Sequence, residues 1–289
     1  MKPPKFFLMT FASVLLNAIP FELTRIIARV AGFFYYLIDK NRRRTLVTNF
    51  RYLLDSENQN SRTINRVALR TLSNLCCYII DALQIPNFSR SWLLKMVEAQ
   101  GTEFLDQALA QGRGVILVSA HLGAGELASA YLARRGYPVV LVSEEVGAGH
   151  TETLGFYRRR AGVEVIMMTE PVRMLKTLKR NKILLVAGDR DLTGTGVVLP
   201  FFNGRRSIPR GPALFAVKTG APVLVGCFVL NPISGAAPYL GLLDHPVEYR
   251  PTGDPNGNID NLTTTITERL QRFIKLYPDQ WYVFQPDWR

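Results

Sequence analysis

The run Val115-Ile116-Leu117-Val118-Ser119-Ala120 stops abruptly at His121 and passes into the glycine-punctuated stretch Leu122-Gly123-Ala124-Gly125-Glu126. It is short, β-branched at three positions and free of polar alternation, which describes a strand buried on both faces, the kind that parallel sheets contain. Two further runs repeat the pattern. Residues 138–143 end at Glu144 and Glu145, and residues 182–188 end at Asp189, Arg190 and Asp191. Chemistry in open α/β sheets collects outside the carboxyl ends of the strands. If these runs are neighbours, His121, Glu144 and Asp189 face one crevice, where a carboxylate would favour the protonated imidazole and make the histidine a better base. Plainer roles compete: a histidine at a strand end is often just a satisfied polar group, and acidic residues after strands cap the next helix.

From residue 101 onward, helical and strand-like stretches alternate. Helices are expected at 103–111, 125–135, 151–161 and 171–180, and strands at 115–120, 139–143, 163–168 and 183–187. Later strands are expected at 196–202, 223–230 and 239–249, with a helix at 261–276. Such alternation predicts an α/β fold with a central, mostly parallel sheet flanked by helices. Apolar residues at helical spacing between Arg62 and Gln84 predict a helix before it. The expected organisation is an N-terminal membrane-associated helical segment (1–40), a helical preface (41–100) and an α/β core (101–289).

The N-terminal segment narrows the choice of partner. Residues 6–21 are nearly uncharged, and residues 26–38 are apolar apart from Arg29, yet Pro20, Glu22 and Arg25 separate the two runs. Each is shorter than the roughly 20 apolar residues a spanning helix needs. Lys2 and Lys5 before the first run suggest a signal peptide, but Leu16-Asn17-Ala18 lacks the small-residue cleavage form. The segment therefore reads as an uncleaved, membrane-embedded or interfacial element. Phe33, Phe34, Tyr35 and Tyr36 are followed at once by Lys40, Arg42, Arg43 and Arg44, which suits aromatics at headgroup depth and cations against anionic lipid at the cytoplasmic face of a cell membrane. A core-packed apolar helix with a solvated charge run behind it is the competing reading.

The whole chain, 289 residues with 35 Lys and Arg against 23 Asp and Glu, carries +12 and favours an anionic partner. Basic strands interleaved with aromatics and recognition-helix patterns are missing, which argues against nucleic acid. The three cysteines form no C-x-x-C pair, and the three histidines form no H-E-x-x-H, so neither a disulfide framework nor a metal centre is expected.

His121-Leu122-Gly123-Ala124-Gly125-Glu126 matches H-x-x-x-x-[DE], the signature of the lysophospholipid acyltransferase superfamily. Further features resemble one branch of it, the late acyltransferases of lipid A synthesis and the phosphatidylinositol mannoside acyltransferases. They are Asn41-Arg42-Arg43-Arg44, Tyr157-Arg158-Arg159-Arg160-Ala161-Gly162, Asp189-Arg190-Asp191-Leu192, Pro200-Phe201-Phe202-Asn203-Gly204, Pro209-Arg210-Gly211-Pro212 and Pro278-Asp279-Gln280-Trp281. The likeness covers nearly the whole chain. It implies transfer of a fatty acyl group from acyl-CoA or acyl carrier protein, a thioester co-substrate rather than a bound cofactor, to a glycolipid hydroxyl at the cytoplasmic membrane surface. It also implies that His121 is the general base and that Glu126 orients the imidazole or stabilises its charge. Arg158 would hold an anionic group of donor or acceptor, and Asp189 would support His121 or order the site. Arg159 and Arg160 flank Arg158, so the single arginine of the family falls here within a run of three.

The chemistry sets its own demands. A neutral sugar hydroxyl needs a base, and the oxyanion formed at the thioester carbonyl needs donors, for which the backbone amides of Gly123, Gly125 and the stretch 188–196 are candidates. No G-x-S-x-G elbow is present, which disfavours an acyl-serine intermediate. Gly204, Arg205 and Arg206, with Arg210, read as a loop able to meet lipid phosphate. Lys176, Lys179, Arg180 and Lys182 read as a solvated helix face or a docking patch for an acidic carrier protein. Trp281, Tyr282, Phe284 and Trp288 read as an aromatic tail packed on the core. A monomer is expected. The alternatives are a lipid thioesterase or esterase using the same histidine, and a non-catalytic membrane lipid-binding protein.

Overall fold

The computed structural model describes residues 4–289 except 56, 58–59, 146–149, 234–235, 250–251 and 253; Lys2 thus lies outside the described residues. The core is a seven-stranded sheet in the order β1-β9-β8-β2-β5-β3-β4. The strands are β1 (Val97–Gln100), β2 (Val115–Ser119), β3 (Val139–Ser143), β4 (Glu164–Met167), β5 (Ile183–Ala187), β8 (Val223–Leu230) and β9 (Tyr239–Leu243). Strands β2, β3, β4, β5 and β8 run in one direction, while β9 is antiparallel to β8 and carries β1 parallel to itself at the edge. The expected mostly parallel α/β sheet is the observed one, with β5 seated between β2 and β3.

Unbroken apolar runs form these central strands because both faces of the sheet are covered. Ile116, Val118 and Leu184 point into one core with α10 (Gly211–Thr219) and α11 (Pro255–Leu276). Val115, Leu117, Ile183 and Leu185 point into the other, with α6 (Thr102–Leu109) and α7 (Gly125–Arg135). Period-two alternation thus divides each strand between two apolar layers. Helices α8 (His150–Arg160) and α9 (Pro171–Lys179) complete the crossovers between β3, β4 and β5.

Three local assignments differ from expectation. The stretch expected to be a wholly helical preface ends in β1, whose residues are in part exposed and give no apolar run. The strand expected over 196–202 is β6 (Val197–Phe201), which pairs with β7 (Gly204–Ile208) in a separate antiparallel hairpin, so Arg205 and Arg206 lie on a strand and not in a loop. Strand β9 ends at Leu243, short of Tyr249.

The first helices pack on the core side by side. They are α1 (Pro4–Asn17), α2 (Phe21–Ile38), α3 (Lys40–Leu53), α4 (Ser61–Gln84) and the short α5 (Arg90–Lys95). Helix α2 buries Thr24, Ala28 and Gly32, a stripe of small residues at four-residue spacing, against α4. A Cβ on Gly32 would stand 2.3 Å from the Ser73 Cα, so the backbones touch there and only glycine fits. Arg25 of α2 donates to Asp81 of α4 at 2.9 Å and also to the Tyr239 hydroxyl of β9, which ties the helical layer to the sheet. The opposite face of the pair exposes large apolar side chains, among them Phe11 and Val14 on α1 and Ile26, Val30, Phe33, Phe34 and Leu37 on α2. No helix among the described residues is long and apolar enough to cross a membrane.

Candidate active site

His121 follows β2 by two residues and is held there from two sides. Its carbonyl accepts from Tyr282 N–H at 2.8 Å, and the Gly123 N–H donates to the Gln280 carbonyl at 2.8 Å, so the C-terminal segment runs alongside it. Gly123 has φ +67°, and a Cβ there would lie 2.1 Å from the Phe228 carbonyl oxygen. A side chain would be both strained and obstructed, which explains the glycine directly after the strand end.

The partner of the imidazole is Asp189, which follows the adjacent strand β5. Asp189 is fully buried. Its Oδ1 lies 2.7 Å from His121 Nδ1 and accepts the His121 backbone N–H at 3.1 Å, while its Oδ2 accepts the Trp281 indole N–H at 2.9 Å. Burial alone would push this carboxyl up, but the His121 ring and these donors outweigh it and hold the group down at about 2. An ionised Asp189 makes Nδ1 the protonated nitrogen, which leaves the Nε2 lone pair for a substrate. The His121 side chain is 29% exposed, enough for one edge to be reached.

Glu126, on the first turn of α7, does not bond to His121. It faces Arg158 of α8 in a bidentate pair, with Nε to Oε2 at 2.8 Å and Nη2 to Oε1 at 2.5 Å, and Arg158 Nη1 adds a bond to Ser143 Oγ at 2.8 Å. Both side chains of the pair are 11% exposed. Burial opposes the charge on Arg158, and the Glu126 carboxylate more than restores it. Of the expected site residues, Glu144 lies at the rim, paired with Arg190 at 2.7 Å. Arg210 is bound to Asp260 at 2.7 Å and does not line the cleft. Asp189 lies behind His121 and not in the crevice itself.

The cleft that His121 opens onto has a volume of about 490 Å³ and is mostly apolar. It runs over the sheet face of Leu117, Leu141, Leu185 and Phe228 and under Ala128, Tyr131 and Leu132 of α7. His121, Glu126, Arg158, Glu144, Arg190 and Asp191 are among the charged or ionisable groups that line it. Cys227 also lines it, but burial pushes the thiol up and leaves it a poor nucleophile. Most of the glycine amides expected as oxyanion donors are already engaged: Gly123 with Gln280, Gly188 with Ser119, and Gly194 and Gly196 with Asp191.

The indole of Trp281 was legible in the sequence only as packing, since 92 residues separate it from the carboxylate it binds. Arg206, expected at the surface, is 1% exposed and cannot meet a lipid phosphate.

A histidine held by a buried aspartate thus stands at the carboxyl edge of a parallel sheet, at the polar end of an apolar cleft. Residues 2–289 match the bacterial lipid A biosynthesis acyltransferase family, and the chain belongs to it. Among curated proteins it is similar to the phosphatidylinositol mannoside acyltransferases of two Mycobacterium tuberculosis strains, CDC 1551 and H37Rv, each 27% identical over 221 residues. That alignment spans 73% of this chain and 66% of each relative. The enzyme of the same name from Mycolicibacterium smegmatis is 26% identical over 225 residues, which are 75% of this chain and 71% of the relative.

Proposed function

We propose that the protein moves a fatty acyl group from a thioester donor, acyl-CoA or acyl carrier protein, to a hydroxyl of a glycolipid of the phosphatidylinositol mannoside or lipid A kind. The observation that carries this reading is the His121 ring, bound by Asp189 at one nitrogen and free at the other, at the polar end of an apolar cleft. His121 Nε2 accepts the proton of the acceptor hydroxyl as its oxygen attacks the thioester carbonyl. The tetrahedral oxyanion collapses, the carbon–sulfur bond breaks, and the thiolate leaves with the proton returned from Nε2. Asp189 stabilises the imidazolium formed in between without taking its proton. The apolar walls accept the acyl chain. Glu126 and Arg158 act as a fixed wall that spaces the base from α8, since neither has a charge to spare for the imidazole.

The exposed apolar face of α1 and α2 supports a place at the cytoplasmic face of the cell membrane, with residues 1–40 as the membrane-docking element, 41–100 as its brace and 101–289 as the catalytic core. Arg42 and Arg43 lie 5.5 and 5.2 Å from the ring centres of Tyr35 and Tyr36, which sets cations beside aromatics at the end of that face.

Mass spectrometry of membrane lipids tests the reading. A strain lacking the protein should lose one acyl chain from a glycolipid, the wild-type gene should restore it, and the His121→Ala gene should not. Restoration by His121→Ala would leave a lipid-binding role in place of catalysis.

A further inference from the structure

Arg206 on β7 is a cation placed where a protein rarely keeps one. It is among the largest fully buried side chains of the described residues. Its Nε and Nη1 have no hydrogen-bond partner, and the nearest carboxylate, on the largely exposed Asp287, is 3.9 Å from Nη2. Three rings surround it instead, with the guanidinium carbon 4.9 Å from the ring centre of Trp288, 5.6 Å from Trp281 and 5.9 Å from Phe201. An apolar side chain of similar volume would serve packing better, because a buried charge without full pairing costs free energy. One of those rings, Trp281, donates its indole N–H to Asp189. A cation on the face of an indole draws electron density from the ring and makes its N–H a stronger donor, and its field favours a negative charge at the ring's far edge.

We propose that Arg206 is a positioning residue for the His121–Asp189 pair, a buried cation that holds Asp189 ionised and aligned through the Trp281 indole they share. The site then forms a chain from β7 to β2: guanidinium, indole, carboxylate, imidazole. Burial works against the charge on Arg206, and Asp189 is the first group that offsets it. The other ionisable groups around the pair are Glu126 with Arg158, Glu144 with Arg190, Asp191, Tyr78, Cys227, Tyr282 and Asp287. Glu126 and Glu144 are each matched by an arginine, so Arg206 is the cation whose removal leaves Asp189 unbalanced.

The inference rests on the proposed role of His121 as a base, but its test needs no turnover. The Asp189 side-chain carboxyl can be assigned in the full-length, detergent-solubilised, carbon-13-labelled protein by comparison with Asp189→Asn and titrated by NMR. Losing that cation disfavours the carboxylate, so the Asp189 midpoint should be higher in Arg206→Met than in wild type, where it is held at about 2. Arg206→Lys, which keeps the charge, should stay close to wild type. Arg206→Met should also melt no lower than wild type. An unmoved midpoint in Arg206→Met, an equal shift in Arg206→Lys, or a failure of Arg206→Met to fold would overturn the proposal and leave Arg206 as packing. A wild-type protein with no acyl transfer would contradict the functional reading alone and leave this titration to be judged by itself.

Discussion

Two acid–base pairs share the cleft, and they are wired in opposite ways. Asp189 divides its two oxygens between His121 and Trp281, so the imidazole is bound at one nitrogen and open at the other. Glu126 and Arg158 turn both oxygens and two nitrogens on each other, and the remaining nitrogen goes to Ser143. The first arrangement leaves a reactive lone pair at the cleft, while the second is electrically closed. The difference teaches that two carboxylates close to one imidazole can be committed to different partners: what matters is which atoms remain unsatisfied.

Breaking the first pair should cost the most. His121→Gln keeps a donor for Asp189 but removes the base, and kcat should fall about 10²–10⁴-fold with fold and vesicle binding unchanged, as checked by initial rates and circular dichroism. Breaking the second should be read mainly in stability. Glu126→Gln leaves Arg158 buried without its counter-ion and should cost about 3 kcal/mol in denaturant unfolding. The double variant Glu126→Leu with Arg158→Met should recover most of that loss. If the double variant is as unstable as the single one, the pair is not the closed unit described above.

The smallest effect is a pH dependence specific to the first pair. Asp189 is held at about 2 in the folded chain, below the ordinary carboxylate value of about 3.9 in an unfolded one. A depressed folded value means that its contribution, on the order of 2 kcal/mol, is fully present above pH about 4 and is lost as the pH falls toward 2. Asp189→Asn should remove this component, so the stability gap between wild type and variant should shrink between pH 5 and pH 2 in thermal melts. A gap that stays constant over that range would contradict the pairing.

Strands β2, β3, β5 and β8 were readable because each is a short run with no charged interruption, a pattern that burial on both faces enforces, whereas β4 lies at the sheet edge and opens on the exposed Glu164. The place of His121 was readable too, since the chain must turn sharply where Gly123 passes the Phe228 carbonyl. Strand β7 was hidden for the same physical reason in reverse. Its inward-facing position is Arg206, so Gly204-Arg205-Arg206-Ser207 looks like a polar loop, and only the stacked rings make that burial tolerable. The strand-end pattern set Asp189 beside His121, while the role of Glu126 at the ring came only from the family resemblance. Glu126 is five residues away but starts a helix that points it at α8, whereas the carboxylate on the ring comes from Asp189, 68 residues on, because β5 lies directly beside β2.

Acceptor-dependent acyl transfer tests the central claim most directly. With a long-chain acyl thioester and a purified glycolipid acceptor, wild-type protein should form product only when the acceptor is present. Asp189→Asn, which takes the carboxylate from the His121 ring, should lower kcat by about 10²-fold or more, while the double variant Glu126→Leu with Arg158→Met should stay near wild type. Full kcat in Asp189→Asn, or acyl release that proceeds equally without acceptor, would contradict an Asp189-supported His121 base acting in transfer.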